Sequence, residues 1–247
     1  MKSFKTFLNE TSSIKNKGIR YEVQFNRHLY KHGLMASSKR PKNNQGNDFH
    51  LINKKEKIIH RGKVYDGKFI GETKMNATSA SFGQIALNWD PVVKKWGISH
   101  NAYSKRPEFA STVEKAKITH NGVTKSLIDH VNDTVKKPKP GNIASIFSDQ
   151  TNMKPAHAYG RDHGADVIHI GKKGTYRFGN GEHRDRTRIG LPKLSGHGQF
   201  EVRRKYPKNG NSLHVAFKVK GKSVDRSHID LENEEHVKLV KKALGHE

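Results

Sequence analysis

The sequence predicts a mixed α/β fold, and three observations carry that expectation. Segments 18–35 and 231–244 place apolar residues at helical spacing. Short runs between them alternate apolar and polar residues, as half-buried strands do. In a chain of 247 residues, a hydrophobic content of 32% supplies a core while leaving long polar connections.

Taken in order, MKSFKTFLNE sets Phe4, Phe7 and Leu8 against Lys2 and Lys5, the pattern of a short amphipathic helix. GIRYEVQFNRHLYKHGLM, 18–35, predicts a longer helix with Ile19, Val23, Phe25, Leu29, Tyr30 and Leu34 on one arc. Glu22 and Asn26 fall inside that arc, where a carboxylate is costly unless it meets a partner or a metal. After the basic loop SSKRPKNNQGN, the runs DFHLI, KIIHRGKVY and KFIGETK predict a three-stranded antiparallel meander, with a turn at Asp66 and Gly67.

SASFGQIALNW, 79–89, repeats Phe82, Ile85 and Trp89 at helical intervals and predicts a helix that ends before Pro91. Residues 91–135 read as mostly polar and helical, and KKPKPGN, 136–142, reads as a linker. Beyond it come the strand-like DVIHI, TYRFG, QFEVRRKY and LHVAFKVK, the last two joined by a hairpin at Asn209 and Gly210. LENEEHVKLVKKAL closes the chain as a helix with acids first and lysines last, as its dipole prefers.

The 47 Lys and Arg outnumber 23 Asp and Glu, for a formal charge of +24. A polyanionic partner is the direct implication, and nucleic acid is favoured. No apolar run approaches the roughly 20 residues of a spanning helix, so no membrane role is expected. The N-terminal segment is too short and polar for a secretory signal. With no Cys, thiolate chemistry and disulfides are excluded, which leaves any metal to carboxylates and His.

The chemistry concentrates in GETKM, 71–75. Strand alternation puts Glu72 and Lys74 on one face, and in DFHLI it puts Asp48 with His50. If these strands are neighbours, Asp48 and Glu72 converge on one hard divalent ion, Mg²⁺ or Mn²⁺, with Lys74 beside the attacking water. Phosphodiester hydrolysis needs such a set: a metal that polarises the phosphoryl oxygen and activates water, and a cation that stabilises developing charge.

HAYGRDHGADVIHI offers His157, Asp162, His163, Asp166 and His169, a candidate transition-metal or second hydrolytic centre, although structural or DNA-contacting roles are the favoured reading. Lys172, Lys173, Arg177, Arg184, Arg186 and Arg188, with Tyr176 and Phe178, suit phosphate contact and stacking, and Arg203 and Arg204 extend the basic set.

Two resemblances add to this reading. Asp48, a 23-residue gap, Glu72, Thr73 and Lys74, set between a helix carrying Glu22 and a later segment carrying Gln84, resemble the PD-(D/E)xK nuclease superfamily over about residues 18–90. The position before Asp48, a proline in many members, is Asn47 here. The resemblance implies a restriction-endonuclease-like core with a helical insertion and a basic β-rich C-terminal region. It further implies that Asp48 and Glu72 hold the metal, that Glu22 completes the site, that Lys74 serves the water and that Gln84 contacts substrate or water. The first ten residues resemble the capsid-targeting peptide of internal head proteins of T-even-type tailed phages, which implies cleavage after Glu10 and docking to a phage capsid or scaffold.

The expected organisation is a cleavable peptide at 1–10, a nuclease-like core with its helical extension at 11–135, the linker at 136–142 and a basic DNA-contacting region at 143–247. The expected function is a Mg²⁺-dependent DNA endonuclease, located in the virion interior or the host cytoplasm, with a homodimer left open. The alternatives are a non-catalytic basic DNA-binding or internal head protein and, third, an RNA-binding protein or ribonuclease.

Overall fold

Alternating residues in 49–74 build one long hairpin: β1, Phe49–His60, pairs antiparallel with β2, Lys63–Lys74. In this computed structural model the described residues are 17–38, 48–60, 62–75, 80–139, 141–179, 190–204, 212–219 and 221–246. Residues 1–10, Arg184, Arg186, Arg188 and the Asn209–Gly210 turn lie outside them. The chain is mixed α/β, as expected, and divides into two units.

The first unit comprises 1–77, 163–194 and 225–247. Its helix α1, Lys17–Lys31, stops short of the expected Met35 because Gly33 takes φ +73° and Leu34 N–H returns to the Leu29 carbonyl at 3.0 Å, a Schellman-type end. Its sheet has the order β1-β2-β9-β10, with β9 at Val167–Ile170 and β10 at Gly174–Arg177. β9 runs parallel to β2, pairing Glu72 with Ile168 and Thr73 with His169. Helix α6, Glu234–Ala243, is capped by the Asn233 side chain. Phe25, Leu29, Phe49, Leu51, Phe69, Val167, Val237 and Leu244 share one apolar core.

The predicted meander is thus two strands, and Asp66 and Gly67 lie inside β2 instead of at a turn. The register shift between Asn53 and Lys57 explains the Gly67 signal. A Cβ there would come within 2.7 Å of Glu56 on the bulged strand, so Gly67 makes room for a bulge and not for a reversal.

The second unit comprises 78–162 and 195–224. Its main sheet has the order β4-β3-β12-β11-β7, with β3 at Ala80–Asp90, β4 at Lys95–Ile98, β7 at Ile146–Phe147, β11 at His197–Arg203 and β12 at Ser212–Val219; β8, Thr151–Asn152, pairs with β11. Four helices belong here: α2, His100–Lys105; α3, Pro107–Glu114; α4, Leu127–Thr134; and α5, Lys154–Asp162. Between α3 and α4 lies a small hairpin of β5, Lys117–His120, and β6, Val123–Ser126, turning at Asn121 and Gly122. Residues 91–135 are therefore only partly helical. Segment 136–142, expected as a linker, lies within this unit and not at its boundary.

The expected helix at 79–89 is instead strand β3. The β12 register matches Gln84 to Ala216 but Phe82 to Phe217, leaving Gly83 as an extra residue with φ +69°. That bulge shifts Phe82 out of the period-two series of Ile85, Leu87 and Trp89, which produces a false helical interval.

Candidate functional site

The hairpin register sets the first group. Phe49 opposes Gly71, with Asp48 immediately before the one and Glu72 immediately after the other. Asp48 is pinned at three points: its N–H donates to the Gly71 carbonyl, its Oδ2 accepts the Thr73 N–H, and its carbonyl accepts Asn26 Nδ2 from α1, each at 2.8 Å. Its carboxylate therefore reaches the backbone of the residue between Glu72 and Lys74. Both acids are buried, Asp48 at 3% and Glu72 at 2% exposure, and Lys74 Nζ lies 3.2 Å from Glu72 Oε2. Gly71 has a packing reason: a Cβ there would meet the Phe49 ring at 2.1 Å.

Pleating separates these groups from the helix-facing core. Phe49, Gly71, Thr73 and His169 share one face by register, and α1 packs there, with Phe25 stacked on His169 at 4.2 Å. Glu72 and Lys74 belong to the alternate set. Glu22 is half-buried on α1 and does not join Asp48 and Glu72 in a three-ligand group within 4.8 Å. Gln84 is on β3 in the second unit, where its side chain hydrogen-bonds His214 of β12.

The His-rich segment is dispersed. His157 is buried in α5, and Asp162 caps α3 by accepting the N–H groups of Glu108 and Phe109 at 3.2 and 2.8 Å. Asp166 accepts the Ile70 N–H at 3.0 Å. Of this segment His169 alone enters a titratable cluster, together with Tyr21, Asp230 and Glu232, of which the sequence reading had assigned only Glu232 to a helix start. His169 Nε2 lies 3.4 Å from Glu232 Oε1 and 2.9 Å from the Tyr21 hydroxyl, which donates to Glu232. His169 Nδ1 meets Thr175 Oγ1 at 2.9 Å. Asp230 is the third member: His169, Asp230 and Glu232 each offer a ligand atom within 4.8 Å of the others, the one such trio among the described residues.

The electrostatics follow from this packing. Burial, and then the Glu232 carboxylate, hold the Tyr21 phenol well above its usual range. Burial raises the Glu232 carboxyl, but hydrogen bonds and charge from His169 and Tyr21 outweigh it and leave a net lowering. Burial, reinforced by His32, pushes nearby His28 down to about 4. The trio was hidden because Asp230 and Glu232 sit about 60 positions from His169; the signal in SHIDLENEEH was its acid at alternate positions with a flanking His on each side.

Of the basic set, Lys172 is exposed at φ +66° while Lys173 and Arg177 are half-buried in the first unit. Arg203, in the second, lies 4.0 Å from Glu201, and Arg204 is buried, a placement suited to packing more than to phosphate. No described helix is long and apolar enough to cross a membrane. Comparison with known proteins finds no matching family, no matching curated protein and no matching solved structure.

Proposed function

We propose that the protein is a Mg²⁺-dependent nuclease acting on DNA, with Asp48 and Glu72 as metal ligands and Lys74 as the cation beside the attacking water. The observation that carries this reading is that Asp48 and Glu72 are both buried at the same end of the hairpin, with the Asp48 carboxylate bound to the Thr73 N–H between Glu72 and Lys74. Two buried oxygen donors on neighbouring strands suit a hard divalent ion that keeps water and phosphate in its other positions. That ion would polarise the phosphoryl oxygen and lower the pKa of its water. Lys74 donates toward the carboxylate at rest and is placed to stabilise charge building on the phosphate. The +24 charge supports a nucleic-acid substrate.

Glu22, on the helix that packs against the face opposite Glu72 and Lys74, and Gln84, in the second unit, have no assigned role in this reading. The N-terminal resemblance supports packaging in a virion; mass spectrometry of the native particle should find a terminus at Thr11, and an intact Met1 sinks that part.

The test of the chemistry incubates purified protein with supercoiled and linear DNA, with Mg²⁺ or chelator, beside Glu72→Ala and Lys74→Ala. Metal-dependent nicking lost in both variants is expected. If wild type never cuts, the second reading stands: a non-catalytic basic DNA-binding protein, favoured by the observed Glu72–Lys74 ion pair. An RNA arm in the same assay decides the sugar type.

A further inference from the structure

We propose that His169, Asp230 and Glu232 form a binding site for one divalent transition-metal ion of the Zn²⁺ class, bordered by Tyr21 and separate from the Asp48–Glu72 pair. This site stands on its own observations and does not depend on the nuclease reading.

The donor set is one imidazole nitrogen and two carboxylates, which suits a borderline ion better than Mg²⁺. The His169 Nε2 to Glu232 Oε1 separation is 3.4 Å. Two ligands at about 2.0–2.2 Å from a tetrahedral Zn²⁺ would sit about 3.4 Å apart. His169 is fully buried, and Thr175 Oγ1 meets its Nδ1 at 2.9 Å, an outer contact that orients the ring and leaves Nε2 toward the acids. Asp230 is held by the Glu232 N–H at 2.9 Å, and its own N–H donates to His236 Nδ1 at 3.0 Å.

Charge gives the second, independent argument. Two carboxylates converge here in a chain with 47 Lys and Arg, yet among the described residues neither forms a salt bridge to a Lys or Arg. The groups around Glu232 are Tyr21, His169 and His28. Thr73, the β9-pairing neighbour of His169 on the same face, also buries a hydroxyl that has no hydrogen-bond partner among the described residues.

The location gives the ion a task. The first unit is assembled from three separated stretches of chain, and the cluster takes Tyr21 from the first, His169 from the second and Asp230 with Glu232 from the third. An ion there ties the second stretch to the third beside Tyr21 of the first, so its binding free energy becomes folding free energy.

The test titrates chelator-stripped full-length protein with Zn²⁺ by calorimetry in excess Mg²⁺, alongside Glu232→Gln, Asp230→Asn and, as a control, Glu114→Gln in the second unit. About one ion per chain is expected, with a raised melting temperature. Affinity should fall at least about tenfold in either cluster variant and stay unchanged in Glu114→Gln. Because a variant could misfold, Co²⁺ absorption on the wild type reads the site without substitution: strong visible d–d bands of a four- or five-coordinate ion are expected. The absence of a saturable site, Zn²⁺ affinity equal in wild type and both cluster variants, or only the weak spectrum of octahedral Co²⁺ overturns the proposal.

Discussion

The two units differ in what they bury. In the first, Gln24, Asn26, His28, Asp48, Glu72, Thr73, His169 and Thr175 are all withdrawn from solvent, whereas the second buries Ser148, His157 and Arg204. The second unit is instead built on aromatic and aliphatic contacts: Phe200 packs edge-on to Phe109 and Phe217, with ring centroids 6.0 and 5.3 Å away. Buried polar groups are costly unless each is held, so a fold keeps many of them together where they have a use. The difference marks the first unit as the place for chemistry and the second as its apolar counterpart.

Substitutions can break or sharpen this contrast. The largest effect is expected at Glu72→Gln, which should cut DNA nicking by about 10²–10³-fold, while Glu114→Gln in the second unit leaves the rate unchanged. Equal losses measured on plasmid DNA would erase the distinction.

Next comes Gly71→Ala, which drives a methyl into the Phe49 ring and should destabilise by about 3 kcal/mol, read as a lower urea midpoint. Because Asp48 N–H bonds to the Gly71 carbonyl, activity should fall with it.

A pH effect of about 2 kcal/mol is expected from His28. Its folded value of about 4 lies below the ordinary 6.5, so between these values the unfolded chain binds a proton that the folded chain does not. Stability should therefore fall as pH drops from about 6.5 toward 4, and His28→Gln should flatten that part of the urea-midpoint profile.

The smallest effect is at Asp162→Ala, which removes the N-terminal cap of α3 and should cost about 1 kcal/mol by thermal melting, with nicking retained.

Legibility in the sequence followed the range of the interactions. The hairpin strands and α6 declared themselves through periodicity and caps, because neighbouring residues set both. The closeness of Asp48 to Glu72 and Lys74 was legible the same way, since all three lie at one end of a single hairpin. The β3 error at Gly83 came from a bulge, whose register is set by the distant β12. The Gly67 error had a similar origin in the bulge opposite it. The His169 cluster was beyond local reading, for nothing near residue 169 signals the approach of residues 230 and 232. Glu232 had already been given a sufficient local explanation, the dipole of the helix that follows, and Asp230 lay outside the segment read as helix.

One feature of chain order has a consequence for synthesis. The chain leaves the first unit after Ala77, returns at His163, and supplies the last pieces from Asp225 onward. Emerging from the ribosome, the Asp48–Glu72 hairpin is complete long before its parallel neighbour β9 exists, and Tyr21 and His169 wait for Glu232 until the final helix is being made. A prematurely terminated chain would thus carry the hairpin but neither the third stretch nor its acids. Assembly of the first unit therefore waits for the emergence of residues 225–247.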